Sequence, residues 1–270
     1  MKIRILLSIA MLGLVLVCAD SAMAFTFNSA DGDLSEWGVD PGASQWVPTE
    51  SGVYSSPLTD PVYGTPEDTI GGGYQVYPGY GGQLFDAEAL YLNWNDTTLY
   101  LALVTGFPDT TAPNYPYSAG DIAIDFGVNG TYDYGIEIGG HKTGYTGLDG
   151  NDGEVYENVT WYQPNVWGGV SSPLYMESAD YTGVEADEFV YTLGYDNADP
   201  NYVHYVAEMA IPRSAFGSDW NDYMRVHWTE SCGNDNINVT TTPVVPEPMS
   251  LSLLGLSLLG MIGAGVKRKK

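Results

Sequence analysis

The chain has 270 residues, carries 34 Asp and Glu against 9 Lys and Arg, and has a formal net charge of −25 at pH 7. Such a surface repels phosphate backbones and anionic lipid, so nucleic acid is argued against as a partner, while divalent cations and neutral glycans stay open. Acidity of this kind also serves simply to keep an exported protein soluble.

The N-terminus begins with Lys2 and Arg4, continues as an apolar run over 5–17, and ends in the small-residue exit Ala22-Met23-Ala24. That layout predicts a secretory signal peptide over residues 1–24, cleaved after Ala24 to leave Phe25 as the new N-terminus. The apolar run is short for a bilayer, which argues against an uncleaved anchor. Val17 is not the small residue that a lipoprotein reading needs before Cys18. Once Cys18 leaves with the signal peptide, Cys232 is the one thiol left, so no intramolecular disulfide can form. Burial, an intermolecular bridge and modification remain for it, with burial favoured.

The body, residues 25–242, is rich in Tyr, Trp, Thr, Val and Gly, and its basic residues are Lys142, Arg213 and Arg225. No segment sustains apolar residues at helical spacing over three turns, so the body reads all-β. It opens with Asp31-Gly32-Asp33-Leu34-Ser35-Glu36-Trp37, which sets three carboxylates around a glycine-containing turn. Such a turn can wrap oxygen ligands around calcium; it can equally be Asp side chains hydrogen-bonding their own backbone. Further on, Leu90, Leu92 and Trp94 alternate with Ala89, Tyr91 and Asn93, the turn Asn95-Asp96-Thr97-Thr98 intervenes, and 99–104 follows as a second apolar run. This is a hairpin. A second hairpin is predicted where Ile122, Ile124 and Phe126 share one face, Asn129-Gly130 turns the chain, and Tyr132, Tyr134, Ile136 and Ile138 share a face again.

The run Asp149-Gly150-Asn151-Asp152-Gly153-Glu154 has calcium-friendly composition without the spacing of an EF-hand loop. Trp161, Tyr162 and Trp167 share a loop-like stretch with Gln163 and Asn165, which makes Trp161, Tyr162, Trp167 and Asn165 the candidate sugar platform: flat rings for stacking and amides for hydroxyl groups. Trp37 and Trp94 read instead as buried anchors. Later, Val203, Tyr205, Ala207, Met209 and Ile211 alternate with Tyr202, His204, Val206, Glu208 and Ala210, predicting a half-buried strand that Pro212 ends. Residues 213–216 predict a short helical turn, and 225–229 a late closing strand. The long connections 51–82, 139–153 and 164–173 read as functional or mobile. Together these elements predict one domain, a two-sheet antiparallel β-sandwich of jelly-roll-like form.

The C-terminus, residues 243–270, carries Pro246-Glu247-Pro248, an uncharged apolar stretch over 249–266 and the cluster Lys267-Arg268-Lys269-Lys270. At about 1.5 Å per residue the stretch makes a helix of roughly 27 Å, enough to span the hydrocarbon core. The basic cluster should stay cytoplasmic, as should Lys2 and Arg4, which puts the body outside. The two prolines exclude regular helix and leave extended, protease-accessible backbone.

This ordered tail resembles the PEP-CTERM sorting signal. The resemblance implies recognition and processing at Pro246, Glu247 and Pro248 by an exosortase-type membrane transpeptidase, transient anchoring in the inner membrane, and final placement at the cell envelope, outer surface or extracellular matrix. It also implies a setting of exopolysaccharide and biofilm matrix. Within the body, the series 31–37, 85–103, Gly120-Asp121-Ile122-Ala123-Ile124-Asp125 and Val206-Ala207-Glu208-Met209-Ala210-Ile211-Pro212 resembles family 9 carbohydrate-binding modules and their DOMON-like relatives. That resemblance implies a sandwich binding sugar, haem or another ligand, and suggests a structural calcium ion beside Asp31 and Asp33. The long insertion over 39–82 departs from the pattern and can rebuild or cover the sugar face.

Enzymatic signals are weak. His141, His204 and His227 lie in neither H-x-x-x-H nor H-E-x-x-H spacing, and no G-x-S-x-G or phosphate loop occurs. The expectation is a non-enzymatic exported protein that binds extracellular glycan or contributes to the matrix, with polysaccharide as its partner. The alternatives are an acidic structural or adhesive protein without a specific ligand, and an envelope glycan-modifying hydrolase.

Overall fold

The computed structural model describes residues 25–39, 62–66, 82–108, 116–139, 148, 150–164, 171–194 and 203–242. The expected signal peptide and the whole C-terminal signal lie outside them. Among the described residues no helix is long and apolar enough to cross a membrane.

Eleven strands form the described body: β1 (Tyr63–Pro66), β2 (Ala87–Trp94), β3 (Thr98–Thr105), β4 (Asp121–Phe126), β5 (Tyr134–Glu137), β6 (Glu154–Tyr162), β7 (Tyr175–Glu185), β8 (Glu188–Leu193), β9 (Tyr205–Pro212), β10 (Met224–Trp228) and β11 (Ile237–Thr240). They make two antiparallel sheets, a five-stranded one in the order β1-β2-β3-β9-β8 and a six-stranded one in the order β11-β10-β4-β5-β6-β7. The all-β, two-sheet expectation agrees with this arrangement. Between the sheets lies one apolar core: Leu90, Leu92, Leu101, Leu103, Met209 and Ile211 from the first meet Ile122, Ile124, Ile136, Val155, Val226 and Trp228 from the second. Their period-two spacing puts these side chains on one face of each strand.

A second cluster covers the outer face of the five-stranded sheet. Leu34, Trp37 and Val39 of the opening segment, together with Val62, pack on Ala89, Tyr91, Ala102, Val104 and Val206. Fully burying a side chain of this size contributes about 1.5–3 kcal/mol, so the opening segment works as a strap that makes a third layer. This corrects the half-buried reading of β9. Its second face, Val206, Glu208 and Ala210, is buried as well, because a segment distant in sequence lies over it.

Other corrections follow from pairing. The β2–β3 hairpin forms as expected, with Leu92 opposite Leu101. In the second hairpin, β4 and β5 pair as Ile122 with Ile136 and Ile124 with Tyr134, so residues 127–133 form a wide connection rather than a two-residue turn. Tyr132 consequently leaves the inner face and packs with Trp161 and Met176 on the other side of the sheet. Strand β10 does not close the sheet, since β11 pairs beyond it. The short helical turn is present as a 3-10 segment, Arg213–Asp219. Strands β1, β6, β7 and β8 arise in stretches that carry no clean alternation in the sequence.

Candidate functional site

The 127–133 connection is held back on itself by side chains. The Asp125 carboxylate accepts the N–H groups of Asn129 and Gly130, each at 2.9 Å, Asn129 Oδ1 accepts the Thr131 N–H at 2.8 Å, and Asp133 Oδ2 accepts the Phe126 N–H at 3.0 Å. Val128 adopts φ 51° within it, a costly conformation for a β-branched residue. Opposite, the pairing of β6 with β7 shifts register between Glu157 and Thr160, and Asn158 in that bulge has φ 54°. Its Nδ2 donates to Asp180 Oδ2 at 3.1 Å. The third wall comes from the end of the 3-10 segment, where the single proton of the Tyr134 hydroxyl is shared between Asp219 Oδ2 at 3.0 Å and the Phe216 carbonyl at 3.2 Å.

These walls enclose a cleft of about 240 Å³, lined by Thr131, Tyr132, Asp133, Tyr134, Glu157, Asn158, Val159 and Asp219. No basic side chain lines it. Burial lifts the Asp133 carboxyl above its ordinary range, helped by the Asp125 and Asp219 carboxylates and opposed by the Phe126 N–H. Burial and the hydrogen bond to Asp219 push the Tyr134 phenol up as well, so it stays a neutral donor. Carboxylate oxygens, one amide, the Thr131 hydroxyl and tyrosine walls together suit a ligand rich in hydroxyl groups.

The residues singled out from sequence fall differently. Trp161 and Tyr162 lie in β6, not in a loop, and as neighbours on a strand they face opposite sides. Trp161 is only 8% exposed, its indole N–H donates to the Tyr132 carbonyl at 3.0 Å, and it packs with Met176. A Cβ added at Gly135 would come within 2.2 Å of Met176 Sδ and 3.1 Å of the Trp161 ring, so the ring sits in a space that only glycine leaves open. Tyr162 is 36% exposed and stacks on Tyr175 at 4.8 Å. The two therefore do not form one platform. Asn165, Trp167, Pro246, Glu247 and Pro248 lie outside the described residues.

Asp31 and Asp33 are exposed, and their oxygens close the turn. Asp31 Oδ1 accepts the Asp33 N–H at 2.9 Å, Asp31 Oδ2 accepts the Ser29 hydroxyl at 3.0 Å, and Asp33 Oδ1 accepts the Ser35 N–H at 2.9 Å. These are the self-bonded turns that Asp favours. Among the described residues no group of three or more His, Cys, Asp or Glu is arranged to hold a metal ion. The two described histidines are committed inside the fold: His204 pairs with Glu88 at 2.9 Å, and His227 meets Asn238, Ser171 and Pro173.

Sequence reasoning missed Asp133, Glu157, Asn158 and Asp219. The Asn129-Gly130 turn was the one available signal, since it marked where a wall would stand. No protein-family model, curated protein or solved structure matches this chain.

Proposed function

We propose that this is an exported, surface-sorted, non-enzymatic β-sandwich of jelly-roll-like form that binds a neutral extracellular glycan through the 131–159 cleft. The cleft itself carries the reading: hydroxyl-binding groups (Asp133, Glu157, Asn158, Asp219 and Thr131) stand beside tyrosine rings with no cation among them. An acidic, cation-free cleft disfavours anionic polysaccharide, and hydrogen bonds from sugar hydroxyls to carboxylates are of the stronger kind. Export rests on the signal peptide over 1–24. Sorting rests on the Pro246-Glu247-Pro248 tail with its apolar stretch, which would be handed to an exosortase-type membrane transpeptidase.

Affinity electrophoresis against a panel of neutral polysaccharides, with and without calcium, tests the binding. Retardation is expected, and Glu157→Ala should weaken it about tenfold, the loss of one charge-assisted hydrogen bond. Glu157 is exposed, so its truncation leaves the fold intact. Unretarded migration in every gel rejects the glycan reading. A second reading has its own support: Trp37, Trp161 and Trp228 are all buried, as an acidic structural or adhesive protein without a ligand would have them. That reading gains if no polysaccharide retards the protein.

A further inference from the structure

We propose that Asp121 and Glu137 share one buried proton, and that this proton latches the entry to β7 and both ends of the 139–153 connection onto the β4–β5 pair. The two residues stand directly opposite each other across β4 and β5, and neither has exposed surface. Two carboxylates have only lone pairs to offer, so a buried pair facing each other favours keeping one proton between them. Asp121 Oδ1 is buried without a hydrogen-bond partner, and a protonated Glu137 across the strand pair would supply the donor.

The remaining oxygens reach the chain segments that the latch secures. Asp121 Oδ2 accepts the Met176 N–H at 2.7 Å, and Glu137 Oε1 accepts the Gly139 N–H at 3.4 Å. The Glu137 carbonyl accepts the Gly153 N–H at 2.7 Å, and the Met176 carbonyl accepts the Leu148 N–H at 2.8 Å. Titratable groups around the pair are Asp152, whose charge acts on Glu137 from the end of the connection, and the Tyr156 phenol on β6. From β7 comes the Met176 N–H. On the β10 side, His227 stands opposite Ala123, and burial drives its ring toward the neutral form.

Burial, reinforced for Glu137 by the Asp121 charge, lifts both carboxyls above their ordinary range. The latch is therefore complete below the unfolded carboxylate range near about pH 4 and is lost as pH rises through the raised folded values. Losing the proton leaves two anions facing each other without solvent, and cross-strand like charges push the pair apart.

Amide exchange at Met176 in the full chain, corrected for the intrinsic rate and followed from pH 5 to 10, tests this. Above the unfolded carboxylate range, while only the folded pair keeps the proton, protection should fall about tenfold per pH unit and level off once the folded pair loses it. Glu137→Gln supplies a donor that cannot titrate, so its protection should stay level. Equal slopes in both proteins overturn the latch. Should the variant fail to fold, carboxyl ¹³C titration of the wild type decides: a proton retained by the pair at neutral pH supports the proposal, and both carbons titrating near about pH 4 overturn it.

Discussion

Glu208 has no exposed surface, yet its carboxylate is fully occupied. Oε2 accepts the N–H groups of Asp31 at 3.1 Å and Gly32 at 3.0 Å, and Oε1 accepts the Trp37 indole at 2.7 Å. Burial pushes the group up to about 7, against the pull of these donors. One side chain of β9 thus ties down the turn and the aromatic anchor of the strap. Glu208→Ala should cost about 3 kcal/mol or more, because three donors lose a buried partner; a urea unfolding midpoint at the wild-type value would contradict that. Alternation in the sequence placed Glu208 on the polar side of its strand. What it could not show was that Asp31, far away in the chain, would be there to meet it.

Among the elements, β6 explains why Trp161 and Tyr162 do not share a face. Its bulge at Asn158 resets the period, so Tyr156 and Trp161, an odd number of residues apart, still join one apolar cluster. A strict two-residue pattern is therefore absent from 154–162, and Trp161 and Tyr162 read as part of a loop-like stretch. The positive φ of Asn158 yields a test: Asn158→Val should lower stability by about 1–2 kcal/mol, while Asn158→Gly should hold or raise it. Thermal melts of both variants would show this, and equal Tm values for the two would remove the bulge's conformational role. The β2–β3 hairpin was legible because its turn is short and self-contained. There the Asn95 side chain accepts the N–H groups of Thr97 and Thr98 at 2.8 and 2.9 Å.

For the molecule as a whole, the direction of the buried carboxyls decides the pH response. Glu208, Glu36 and Asp133 all stand above their ordinary values, burial being the leading cause in each. Glu230, with Asp235 and Asp86 adding to its burial, stands well above it. Raised carboxyls bind protons more tightly when folded, so their stabilising contribution is present below the unfolded range and declines as pH climbs through the folded values. Tm should accordingly be higher at pH 5 than at pH 8. Measuring both in high salt suppresses the repulsion of the net charge; a higher Tm at pH 8 would refute the expectation.

From its residues alone, this chain declared its strand-forming character, its acidic composition and the strand pairs of its two best hairpins. Each of those depends on neighbours in sequence or on composition. Only the folded molecule decided that β9 is buried on both faces, that Trp161 is core, and that Asp133, Glu157 and Asp219 share a cleft. Those outcomes depend on contacts between distant segments, on a bulge that changes side-chain parity, and on burial, which sets which carboxyls keep a proton.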